Sequence, residues 1–124
     1  WIDSGDKFTL CRSQKYLHPN SAPVGPRMAK AVTQQTLQWY GDHGIQICFA
    51  TTVEGTPMAD CFVLKDRILV EATDDGLIMR VDMGICFVKK TIYKRIIAAA
   101  SKAGSKKTWE SFVDYIQKLP NYPK

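Results

Sequence analysis

From Lys7 to Leu17 the chain alternates, with Phe8, Leu10 and Arg12 on one side and Thr9, Cys11 and Ser13 on the other. A two-residue period predicts a β-strand. Ala29–Tyr40, where Thr, Val and aromatic residues gather, predicts a second. Gly41–Gly44 (GDHG) is a turn by composition, and Ile45–Val53 alternates again, with Ile45, Ile47 and Phe49 on one side. After a break at EGTPMA come a long β-rich run over Asp60–Thr73, a tight turn at Asp74–Gly76 and a last strand over Leu77–Val88. The period then turns helical from Thr91 to about Lys118. Ile92, Ile96, Ala99, Ala100 and Ala103 share one helical face, and Trp109, Phe112, Val113 and Ile116 extend an apolar stripe. Thr91 suits an N-cap and LPNYP a stop. The expected fold class is α+β: five consecutive antiparallel strands closed by one long amphipathic helix, forming one domain over residues 1–124.

Charge changes this picture more than composition does. The chain has 17 Lys and Arg against 12 Asp and Glu, a net charge of +5, which suits an anionic partner. Five cations and no anion lie between Lys7 and Gly41, and seven cations and no anion between Met83 and Trp109. Cys11, Cys48, Cys61 and Cys86 show no metal-ligand spacing and fall in β-rich segments, so they are expected to be buried structural thiols in a reducing, cytosolic setting. No apolar run approaches the ~20 residues of a spanning helix. The chain opens on Trp1 in mid-pattern and is expected to be a piece of a longer protein.

Catalysis finds little support. His18 and His43 sit in turns, the Asp74–Asp75 pair before Gly76 is turn chemistry, and no nucleophile has a matching base. No phosphate-cradling or metal-binding motif occurs. The expectation is a non-enzyme with no cofactor and no metal.

Two segments carry positive signals. The apolar face of the helix thins at Ala98–Gly104 (AAASKAG), which serves either close packing on the sheet or free volume for a ligand. The cations Lys89, Lys90, Lys94, Arg95, Lys102, Lys106 and Lys107 have no acid interleaved with them, and anionic headgroups would give them a use. The connection SAPVGPRMAK is long for a hairpin. From Ser21 onward, Pro23 and Pro26 stiffen it, Gly25 loosens one position, Ala22 and Val24 are apolar, and Arg27 and Lys30 are cationic. It suits a structural Ω-loop or a lid over a cavity mouth.

Three stretches in order resemble VASt domains, the StAR-related-like sterol-transfer modules of Lam and Aster proteins. APVGPRMAKAVTQQ is similar to the family's small-Gly-Pro-Lys/Arg segment. TTVEGTPMADCFVLKDRILV resembles its strand–"P-x-(G/A)-(D/N)-x-F"–strand segment through Pro57, Ala59, Asp60 and Phe62. MRVDMGICFVKKTIYKRII is similar to its last strand and helix start through Lys90, Lys94 and Ile97. Ala98 stands where the family has Glu, Arg27 where Lys is typical, and a helical segment that precedes the tryptophan matching Trp1 is expected to be missing. The resemblance implies a helix-grip fold, a curved antiparallel sheet around a C-terminal helix, with one sterol held between them. It makes Ser21–Arg27 the lid, and Arg27, Lys30, Lys89, Lys90 and Lys94 the contacts with anionic membrane. Phe49, Phe62, Ile96, Ala100 and Ala103 are expected to line the cavity.

The function expected is therefore non-enzymatic lipid (sterol) binding and transfer between membranes. The resemblance places it, as a monomeric domain of a larger anchored protein, on the cytosolic face of the endoplasmic reticulum or at membrane contact sites. The alternative is a membrane- or protein-interaction module that uses the basic helix and holds no ligand. Nucleic acid is not an expected partner, because the aromatic residues are committed to the core.

Overall fold

A computed structural model of the chain describes residues 1–3, 5, 8–19, 27–55 and 58–120. Six strands run in chain order, β1 (Ile2–Asp3), β2 (Thr9–Pro19), β3 (Met28–Trp39), β4 (Gly44–Glu54), β5 (Phe62–Thr73) and β6 (Gly76–Phe87), followed by α1 (Lys94–Gln117). Every strand pairs antiparallel with its predecessor, giving one curved sheet of order β1-β2-β3-β4-β5-β6. With its single C-terminal helix this is a helix-grip α+β fold. Five strands match the expected ones to within two residues at each end, and the two-residue β1 is an addition.

The register fixes which residues share a face. Leu10, Leu37, Ile47, Ile68 and Val81 stand opposite one another in a row across β2 to β6. The next row is Arg12, Gln35, Phe49, Asp66 and Met83, and the one after it Gln14, Thr33, Thr51, Leu64 and Ile85. Cross-strand partners lie on the same side of a sheet, so all three rows line one face. That face receives α1, because Phe49 and Asp66 both touch Trp109. Leu10 and Arg12, and likewise Ile45, Ile47 and Phe49, share sides as the alternation requires, whereas Phe8 precedes β2 with a left-handed backbone, φ 70°.

At Gly44, where β4 begins, a Cβ would stand 2.0 Å from the Val70 carbonyl oxygen. Glycine alone lets β4 start so close against β5.

Two expectations about the helix are corrected. It begins at Lys94 with Tyr93 in the N-cap position, and Thr91 supports it from further back, its Oγ1 accepting the Tyr93 N–H at 3.2 Å. Its sheet-facing side is also turned from the expected one. Ile97, Ser101, Gly104, Ser105, Trp109, Val113 and Ile116 are partly buried, whereas Ile92, Ile96, Ala99 and Ala103 are exposed. Trp109 is held against the sheet, and at 100° per residue Ala98 and Ser105 fall within about 40° of its direction, whereas Ala103 and Ile96 lie about 120° and 140° away.

The cysteines are corrected as well. All four are free, but only Cys61 is buried, and it lies in a short 3-10 turn over Ala59–Cys61. Cys11 and Cys48 are partly exposed and Cys86 is exposed. Cys11, Cys48 and Cys86 take outer-face positions of their strands, which α1 does not cover. No helix among the described residues is long and apolar enough to cross a membrane.

Candidate functional site, the layer between sheet and helix

The helix face of the sheet is apolar at its margins and polar across part of its middle. Among the described residues the buried set is small: Ala29, Ala31, Cys61, Ile68, Thr33 and Gln35. The large side chains of this face, Leu37, Ile47, Phe49, Phe62, Leu64 and Phe87, are only partly covered. A sheet face this rich in large apolar groups is normally sealed by its covering layer. On the partly buried side of α1 stand Ser101, Gly104 and Ser105, whose side chains are short.

Trp109 is the side chain that reaches across. Its ring meets Phe49 edge-on, with centroids 5.5 Å apart, and Phe112 at 5.6 Å. Its indole N–H donates to Asp66 Oδ2 at 3.0 Å. Asp66 Oδ1 is buried with no hydrogen-bond partner among the described residues. Burial pushes the Asp66 carboxyl up from its ordinary value, and the Trp109 N–H and the Gly84 backbone only partly oppose this.

On the β2–β4 side the wall is polar and internally satisfied. Arg12 donates to the Gln35 side-chain oxygen, and the Gln35 amide donates to Gln14 Oε1 at 2.8 Å. Thr33 is 3% exposed, and its hydroxyl lies 2.7 Å from the Tyr16 hydroxyl and 2.8 Å from that of Thr51. Arg12 also stacks over the Trp1 ring at 4.2 Å. Sequence reasoning missed Gln14, Thr33, Gln35 and Asp66, whose only signal was sharing strand parity with Leu10, Leu37 and Ile68.

The expected cavity residues are distributed as follows. Phe49 is on the helix face against Trp109, and Phe62 packs on Phe87 with ring centroids 6.3 Å apart. Ala100 is partly buried on the helix, Ala103 is exposed, and Ile96 is 63% exposed. A separate groove of about 460 Å³ lies on the opposite side of the sheet, its lining mainly outer-face positions such as Thr36, Cys48, Ala50, Lys65 and Arg67. The Arg67–Asp82 ion pair spans its edge. It is not the space between sheet and helix.

The expected membrane contacts gather at one end of the sheet. Lys30 stands opposite Glu54 in the β3–β4 register. The Cys61 carbonyl accepts the Val88 and Lys89 N–H groups, so the β4–β5 and β6–α1 connections are side by side. Lys89 pairs with Asp60 at 2.8 Å; the ammonium holds the Asp60 carboxyl below its ordinary value, and Asp60 raises Lys89 in turn. Lys94 lies 5.4 Å from the Phe87 ring centre, and Arg27, Lys30 and Lys90 are exposed. The expected lid residues Ser21–Pro26 lie outside the described residues, as does Pro57. Among the described residues no group of acids, histidines or cysteines is placed to hold a metal.

An incompletely filled apolar layer between a curved sheet and one long helix defines a helix-grip domain of the kind that encloses a greasy ligand. A family model, VASt (VAD1 Analog of StAR-related lipid transfer domain), matches residues 1–104. The chain belongs to the VASt family and is a StART-like lipid-binding domain. No curated protein matches it.

Proposed function

We propose that the protein is a non-enzymatic carrier that takes up one sterol between the helix face of the sheet and α1 and passes it between membranes. The supporting observation is the unsealed apolar face, with Leu37, Ile47, Phe49, Phe62 and Leu64 only partly covered. At about 25 cal/mol per Å² of apolar surface, burying a sterol-sized ligand there gains several kcal/mol. The polar rows of Thr33 and Gln35 suit a ligand that is mostly hydrocarbon with one polar end. Phe49, Phe62 and Ala100 are the proposed lining, with Ser21–Arg27 as the lid. Arg27, Lys30, Lys89, Lys90 and Lys94 meet anionic headgroups during uptake and release. The proposed setting is the cytosolic face of the endoplasmic reticulum or a membrane contact site.

The test is a titration with a fluorescent sterol, alongside liposome-to-liposome transfer by the wild type and by an Arg27→Asp, Lys30→Asp double variant. Saturable one-to-one binding, with transfer lost in the variant, is expected. A folded protein that binds no sterol refutes the carrier and leaves a module that acts through its basic surface alone.

A further inference from the structure

The end of the sheet that gathers the cations also exposes apolar side chains. Met28 opens β3, Met58 precedes the turn at Ala59–Cys61, and Val88, Ile92 and Tyr93 form the connection from β6 to α1. All five are exposed, Val88 to 60% and Ile92 to 91%. Exposed apolar side chains also occur at the other end of the sheet, Leu77 and Ile78 among them, beside the acids Glu71, Asp74 and Asp75; at this end they are interleaved with cations instead.

The charge around this cluster is one-sided. Lys90, Lys94 and Arg95 are exposed within it, and no acid occurs from Met83 to Trp109. The nearby acids are already opposed, Asp60 by its ion pair with Lys89 and Glu54 by Lys30 across the strand pair. The first turn of α1 contains no acid, so Lys94 and Arg95 sit at the positive end of the helix dipole, where their own charge is unfavourable. Anions supplied from outside would reverse that penalty. A second copy of this end would bring like charges together. A bilayer interface answers every part of the pattern: hydrocarbon for Val88 and Ile92, the headgroup boundary for Tyr93 and phosphates for the cations.

We infer that the β6–α1 corner is a membrane-inserting wedge: Val88 and Ile92 enter the acyl boundary of an anionic bilayer while Lys90, Lys94 and Arg95 engage lipid phosphates. This rests on the carrier reading and extends it, replacing purely electrostatic contact at this end with insertion. The corner is continuous with the Phe62–Phe87 pair on the helix face through the end of β6, so insertion would place that margin of the ligand layer against the membrane.

The experiment is co-sedimentation of the purified protein with phosphatidylcholine vesicles, with and without phosphatidylserine, across a salt series. The variants are Val88→Ser, Ile92→Ser and, separately, Lys90→Gln, Lys94→Gln. A fluorescent sterol presented from cyclodextrin is titrated into each protein. The wild type is expected to bind the phosphatidylserine vesicles and to keep part of that binding at high salt. The serine double variant should lose about tenfold in partitioning, together with the salt-resistant part, because the inserted hydrocarbon is gone. The glutamine variant should lose mainly the salt-sensitive part. Sterol binding from cyclodextrin should not change in the serine variant, whose substituted positions are exposed and outside the proposed lining. Vesicle binding by the serine variant equal to wild type overturns the wedge, as does a folded wild type that ignores anionic vesicles. A wild-type dimer that the serine changes make monomeric, with vesicle binding intact, overturns it in favour of self-association. Vesicle binding as expected but no sterol uptake by any variant refutes the carrier and leaves the wedge standing.

Discussion

Asp66 is a carboxyl on the helix face of the sheet, with one oxygen held by the Trp109 indole and the other buried without a partner among the described residues. Its raised pKa means that the folded protein keeps this proton at pH values where the unfolded chain has released it. Folding then takes up a proton in that window. The group's stabilising contribution is complete below the ordinary carboxylate range and is lost as pH rises through the raised value. Asp66→Asn keeps an acceptor for Trp109 and removes the titration. The variant's stability, followed by denaturant unfolding, should fall less than that of the wild type as pH rises from the ordinary carboxylate range; superimposable profiles would refute the assignment. Trp109→Ala removes both the donor and the Phe49 and Phe112 contacts, and should cost about 2–3 kcal/mol for this partly buried ring.

At the scale of elements, the strands were legible because alternation and turn residues agreed, as at Ile45–Val53 and at the Asp74–Gly76 turn. The helix face was less so. Ile96 and Ile97 are adjacent and Ala98, Ala99 and Ala100 are alike, so several phases fit the local pattern equally well. The contact that selects one phase joins Trp109 to Asp66, 43 residues away, and leaves no local trace. The polar rows were hidden for a related reason: β3 carries polar side chains on both parities, Thr33 and Gln35 on one and Gln34 and Thr36 on the other. Only the register shows that Thr33 and Gln35 face the helix. Thr33→Val should cost about 1–2 kcal/mol by removing the hydroxyl between Tyr16 and Thr51, measured by urea unfolding. Gly44→Ala should cost more, about 2–4 kcal/mol, because its methyl meets the Val70 carbonyl; a stability equal to wild type would show that β4 can begin elsewhere.

For the molecule as a whole, an apolar layer left partly open makes stability depend on what occupies it. A ligand at a hundredfold excess over its Kd adds about 2.7 kcal/mol to a native state that alone binds it. For a domain of this size that is a rise in Tm of several degrees, which a thermal melt with and without sterol would detect. No shift at saturating sterol would count against uptake into this layer. The strictly sequential order of the sheet, in which every strand lies beside the one made just before it, has a further consequence for how the protein assembles. Hairpins close short loops and form early, whereas docking α1 must wait for a sheet to dock on. The Trp109–Asp66 contact is thus expected among the last to form. Until it does, the greasy wall is open along its whole length, so a nascent chain could acquire its first lipid, or a chaperone, before the helix ever closes over it.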